Sequence, residues 1–120
     1  MADAVRAVAR VDVKAAVPAA VFTWTGLDSD DSGIPITIVD YTDQTMTVHG
    51  TFGAGGSVTM QGSNDATNWF TLTDPQGNAL TKTAAAIEMV VEAPLWIRPL
   101  VTAGDGTTSL TVTLLCRRIA

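Results

Sequence analysis

At 120 residues, with 47% apolar and only 16% charged side chains, the chain fits one domain with one core and leaves little material for a second. Its net charge of −5 disfavours nucleic-acid binding, because an acidic surface repels phosphate. One cysteine, Cys116, excludes an intrachain disulfide, and no apolar run approaches the roughly 20 residues of a membrane span.

Thr, Val and Ala dominate while Lys and Glu are scarce, a balance that suits pleated, half-buried strands better than surface helices. Charges interrupt every apolar run of MADAVRAVARVDV, so these residues do not read as a secretory signal, and a soluble chain made in the cytosol is expected. Residues 1–17 set Arg6, Arg10 and Lys14 against Asp3 and Asp12, a slightly basic stretch ahead of an acidic body. Such a stretch suits contact with another copy or an acidic partner, although ordinary solvated charge explains it as well.

From Ala9 to Ala15 apolar and charged residues alternate with period two, a strand signal, while the alanines keep a short helix open. Pro18 ends the segment in either case. Residues 1–17 are expected to be an N-terminal arm or a first strand, and residues 18–120 a sandwich domain. An arm reaching a neighbouring subunit would present Val5, Val8, Arg10, Val11 and Val13.

Val21–Thr25 follows as a strand with Phe22 and Trp24 on one side, then a turn-rich loop over Gly26–Gly33. Ile34–Val39 is expected as a strand with Ile34, Ile36 and Ile38 on one face. Thr45–Phe52 alternates, placing Met46, Val48 and Phe52 inward and the threonines and His49 outward. Gly53–Leu72 is a hairpin, with Val58 and Met60 inside and Ser57, Thr59 and Gln61 outside. Asp74–Asn78 has Pro and Gly placed for a tight turn, and Thr81–Ala86 is left open between strand and loop.

Ile87–Val91 is expected to bury Ile87, Met89 and Val91 and to expose Glu88 and Glu92. In Leu95–Val101, Leu95, Ile97 and Val101 share one face and Trp96 and Arg98 the other, and Pro99 suggests an edge strand or a bulge. Asp105-Gly106 reads as a tight hairpin turn before the last strand, Ser109–Arg118, with Leu110, Val112, Leu114 and Cys116 on the core face. About eight short strands at this spacing describe an all-β, antiparallel sandwich.

Candidate chemistry is thin. Asp28–Gly33 begins like a calcium loop, but its twelfth position is Val39 where a bidentate Glu is needed. Phe52–Ser57 is glycine-rich, but a strand follows where a phosphate loop needs a helix N-terminus. His49 and Cys116 each lie inside a strand, and one of each falls short of a zinc site. No catalytic, cofactor or metal residue is assigned, and an enzyme is not expected. Of the three tryptophans, Trp24 and Trp96 are candidate contact residues together with Arg98; Trp96, opposite the Leu95 and Ile97 face, is the best placed.

The stretches GTFGAGGSVTMQGSNDATNWFTLTDPQGNAL and LWIRPLVTAGDGTTSLTVTLLCRR resemble small β-sandwich proteins of tailed bacteriophages, in particular capsid decoration (cement) proteins. Related wording, GSNDG-x-x-W-x-x-L-x-D-x-x-G-x-x-L, also recurs in fibres and other virion modules. The resemblance covers residues 21–118 and departs at Ala66, where glycine is usual. It implies a jelly-roll-like sandwich on the outer capsid surface of the virion, forming a homotrimer and contacting the major capsid protein. It also implies a non-enzymatic role stabilising contacts between capsomers, with no cofactor. A glycan-binding module of a tail or head fibre is the alternative, and it would need Trp24 or Trp96 exposed in a groove.

Overall fold

The computed structural model describes residues 4–13 and 19–118, so the expectations for residues 1–3, 14–18 and 119–120 fall outside the described residues. The described residues contain strands and no helix. In chain order these are β1 (Val5–Arg6), β2 (Val8–Val13), β3 (Ala19–Leu27), β4 (Ser32–Gly33), β5 (Ile36–Thr37) and β6 (Asp43–Thr51). After the glycine cluster come β7 (Ser57–Ser63), β8 (Phe70–Thr71), β9 (Thr81–Lys82), β10 (Ala86–Val90), β11 (Trp96–Ala103) and β12 (Ser109–Arg117).

One sheet runs β10-β6-β12-β3-β2; the other runs β1-β4-β11-β7-β8, with β5 also on β11 and β9 also on β7. The chain crosses between sheets after β1, β3, β5, β6, β9, β10 and β11, the to-and-fro of a jelly roll. The two sheets pack face to face as an open sandwich. The all-β fold expected from the sequence is the fold found.

Alternation explains the core. Phe22, Trp24 and Leu27 of β3, Met46 and Val48 of β6, and Leu110 to Cys116 on every second residue of β12 fill one side. Val58, Met60, Ile97 and Val101 of the second sheet meet them. Trp24 has no exposed surface, and its indole N–H donates to the Ile34 carbonyl at 3.1 Å. Its ring lies so close to Gly33 that a Cβ there would sit 2.5 Å from Cδ1.

Several expectations are corrected. Ile34 does not share the inward face of Ile36 and Ile38 but is 43% exposed, because its carbonyl turns to Trp24 at a break between β4 and β5. Pro99 lies in an interior strand, not at an edge. It is tolerated because the neighbouring strand is interrupted opposite it, between the register pairs Leu100↔Ser32 and Ile97↔Ile36. The bulge falls two residues later, between Val101 and Ala103. Thr59 is buried under β9, its hydroxyl 2.8 Å from that of Thr81.

The largest correction is β10. Its parity is inverted: Ile87, Met89 and Val91 face solvent at 68%, 45% and 51% exposure, while Val90 enters the core. A one-residue shift exchanges the two faces of a strand, and the glutamates fix the observed choice. The Glu92 carboxylate accepts from the Thr73 N–H and hydroxyl, and Glu88 pairs with Lys82 at 3.8 Å across the open side of the sandwich.

The Asp105-Gly106 turn does not form a hairpin, because β11 and β12 lie in different sheets. It crosses over beside another inter-sheet crossing, Phe52–Gly56. Asp105 accepts from the Ala54 N–H at 2.8 Å, and the buried Thr108 hydroxyl donates to the Phe52 carbonyl at 2.7 Å. Gly53, at φ 71°, is required here, since a Cβ would lie 2.2 Å from an Asp105 oxygen. Hydrogen bonds from the Thr107 hydroxyl, then the Ala54 and Thr107 N–H groups, hold the Asp105 carboxyl down to about 2.

A folded-state value below the unfolded one gives stability that is complete above the ordinary carboxylate range, near pH 4, and is lost as pH falls toward 2. The thermal midpoint is therefore expected to drop over that interval. Asp105→Asn should flatten the drop and lower the midpoint at neutral pH; an unchanged pH profile would remove Asp105 from this role.

Candidate functional site

Residues 4–13 are paired to the body of the sandwich. β1 runs parallel to β4 and β2 antiparallel to β3, so the strand alternative of the sequence reading is the one seen, not the helix. Charge contributes to the fastening. Asp31, 2% exposed, accepts from Arg6 Nε at 2.7 Å, the Ala4 N–H and the Asp28 N–H, and Asp28 takes a second Arg6 nitrogen at 3.2 Å. Burial alone would raise the Asp31 pKa; the hydrogen bonds outweigh it and hold the carboxyl below its usual range. Two carboxylates of the acidic loop are thus engaged with Arg6.

The residues named from the sequence divide between the two sides of the sandwich. Val11 and Val13, opposite Val21 and Ala19, point outward from the five-stranded sheet. Val8 packs against the core edge. Arg10 covers that edge, its guanidinium 5.5 Å from the Phe22 ring and bonded to Asp12 and the Tyr41 hydroxyl. Val5 is 66% exposed beside β4. Trp24 presents no surface, since alternation along β3 places it in the core.

Trp96 and Arg98 lie on the outer face of the other sheet, alternating with buried Ile97 and Pro99. In register, Trp96 faces Ser63 of β7 and Thr37 of β5, and Arg98 faces Gln61. The sequence reading missed the partner of Arg98, which is Trp69. The Arg98 guanidinium lies over that indole, 4.0 Å from Cζ to the ring centroid, with Nε donating to Gln61 at 3.0 Å. A signal for it was present, because Trp69 shares strand parity with Thr71, which pairs with Gln61 on the same face.

Arg98 has no carboxylate within ion-pairing distance among the described residues, and partial burial lowers its pKa. Trp96, Arg98 and Trp69 form a rigid, half-buried aromatic and cationic patch on an acidic chain. Arg and Trp in such settings anchor protein interfaces.

The SNDATN turn beside the patch is structural. The Asp65 carboxylate accepts from the Asn68 and Thr67 N–H groups, the Asn68 side chain and the Ser63 hydroxyl, which hold it far below its ordinary range. Ala66 sits at φ 61°, the left-handed region that glycine enters without strain. Ala66→Gly is therefore expected to stabilise the protein by about 0.5–1 kcal/mol in thermal or denaturant unfolding, the relieved strain outweighing the added unfolded-state entropy.

A shallow cleft of about 280 Å³ lies on the far side of this turn, lined by Phe70, Leu72, Pro94, Asn64, Asp65 and Glu92 among others. Its two carboxylates are already bonded within the chain. His49 is exposed on β6 while Cys116 is buried on the opposite face, and burial pushes the Cys116 thiol up to about 12.

Fold and surface together define an open jelly-roll-like β-sandwich with an aromatic and cationic outer patch. No family model and no curated protein matches the chain. Among solved structures it is similar to the SPBc2 prophage-derived protein YomS, with TM-score 0.62 and 11% identity over 89% of this chain and 98% of that one. A cupin domain from Bordetella pertussis Tohama I (TM-score 0.46, 9% identity, 96% and 97% covered) is more distant. So is Peruvianin-I, a cysteine peptidase from Thevetia peruviana latex (TM-score 0.43, 12% identity, 92% and 61% covered). Likeness at 11% identity establishes a shared fold with YomS, and the two weaker matches carry no functional weight.

Proposed function

We propose that this chain is a non-enzymatic structural protein of a tailed-phage particle, a decoration protein that binds the outer capsid surface and bridges neighbouring capsomers. The observation that carries this is the Trp96–Arg98–Trp69 patch, a preorganised contact surface on a rigid sheet. The motif resemblance supports a virion role, and the fold shared with a prophage-derived protein agrees with a phage origin. A buried thiol with a raised pKa, on the sheet face opposite the exposed His49, fits a protein without nucleophilic catalysis.

The partners are the major capsid protein and further copies of this chain, in the trimer the resemblance implies. Bridging gains from multivalency: once one contact is made, the second forms at high effective concentration. The protein should pellet saturably with phage heads that lack it and raise their resistance to heat. Failure to pellet would contradict the proposal.

The glycan-binding alternative loses Trp24, which is buried. It retains Trp96, half-buried on the outer face of the other sheet, and the structure adds Phe70, 69% exposed at the rim of the shallow cleft. Binding on a glycan array, abolished by Phe70→Ala and without pelleting on heads, would favour it.

A further inference from the structure

We infer that the outer face of the five-stranded sheet is the surface through which copies of this chain join one another. Strand register aligns its side chains into rows that cross all five strands. One row reads Met89, Thr45, Leu115, Val21 and Val11. The row beside it runs from Ile87 to Ala9 through threonine at each of the three middle strands. Neither row contains an ionisable side chain.

Three observations distinguish this face from an ordinary solvated one. The first is the inverted parity of β10. Outward positions of an edge strand are normally its polar ones, yet here the outward residues are Ile87 and Met89, while Glu88 and Glu92 are drawn toward the sandwich interior. That choice leaves apolar surface in water unless something covers it.

The second is charge. The chain carries −5, and two copies repel wherever their acidic surfaces approach. Across these rows no like charges are brought together, and the nearest ion pair at the margin, Arg117 with Asp43 at 3.2 Å, is internally neutral. Rows without charge offer nothing to attract a charged partner and suit a neutral surface of another copy. The third is size: three nine-residue strands flanked by strands of six and five residues give a footprint on the order of 600 Å² per copy, near the roughly 800 Å² per partner of a stable interface.

The occupant is therefore another copy of this chain, with Leu115 and Val21 inside the contact. This does not depend on the capsid proposal, because self-association is measured in solution without phage heads. It also assigns copy-to-copy contact and the Trp96 patch to opposite sides of the sandwich, so both can be engaged at once.

Light scattering coupled to size exclusion, with the whole chain across the micromolar range, tests the inference. Wild type is expected at a multiple of the 12.5 kDa monomer mass. Leu115→Glu and Met89→Lys are each expected to shift it to the monomer with unchanged circular dichroism, while Arg98→Ala leaves the oligomer intact. Met89 is on an edge strand and 45% exposed, so Met89→Lys decides the matter if Leu115→Glu fails to fold. A monomeric wild type, or an oligomer indifferent to Met89→Lys, would overturn it; a monomer that still pellets with heads would reassign the face to another partner.

Discussion

Arg98→Ala is expected to weaken binding to phage heads by roughly 30-fold or more while barely changing the stability of the free protein. The guanidinium stacks on Trp69 and is held by Gln61, so it is already fixed in the free protein and loses little entropy on docking. Central Arg and Trp residues carry about 2 kcal/mol or more of an interface, which is the stated factor in the dissociation constant. Within the chain the half-buried stack contributes only about 0.5–1 kcal/mol. Arg98→Lys keeps the charge but not the planar fork, so it should restore little. Wild-type affinity in Arg98→Ala, measured by quantitative pelleting, would remove the patch from the contact.

Trp24→Ala should have the opposite profile, a severe loss of stability with no specific effect on any contact. The indole is fully buried between the sheets, packs against Gly33, and bonds the Ile34 carbonyl at the break between β4 and β5. Truncating a buried aromatic costs about 3–5 kcal/mol, against a total of about 5–15 kcal/mol for a domain of this kind. The thermal midpoint should fall by roughly 10–20 °C. Trp24→Phe should recover most of the packing but leave the Ile34 carbonyl unpaired, at about 1–3 kcal/mol. A midpoint within a few degrees of wild type in Trp24→Ala would contradict its place as the central core residue.

These opposed expectations for two tryptophans show where the sequence was legible. Period two along β3, β6, β7 and β12 placed Phe22, Met46, Val58 and Leu110 to Cys116 correctly, because central strands bury one face and solvate the other. Trp24 was in its proper register as well, and the error was to treat a large aromatic on the core side as a contact residue. Trp96 and Arg98 were placed outward by the same alternation. Trp69, over which Arg98 sits, comes from a different hairpin; its parity with Thr71 put it on the same face, and only the register of β7 with β8 and β11 brings it to Arg98.

Where alternation failed, the cause was long-range. Nothing in Ile87–Val91 reports that Thr73 waits to receive Glu92, or that Lys82 stands opposite Glu88, so the apolar residues read as inward. The Asp105-Gly106 turn has the local chemistry of a hairpin, but its carboxylate bonds Ala54 across the sandwich and joins two inter-sheet crossings. Ala66 stands in a turn whose sequence carries no sign of strain, and only the backbone revealed that it holds a glycine conformation.

Hydroxyl-radical footprinting of the protein free and bound to heads tests most directly whether the Trp96–Arg98–Trp69 patch meets the capsid. Oxidation of Trp96 and Trp69 is expected to fall on binding, while Trp24, buried in both states, stays unreactive throughout. Equal oxidation of Trp96 and Trp69 in free and head-bound protein would contradict the assignment.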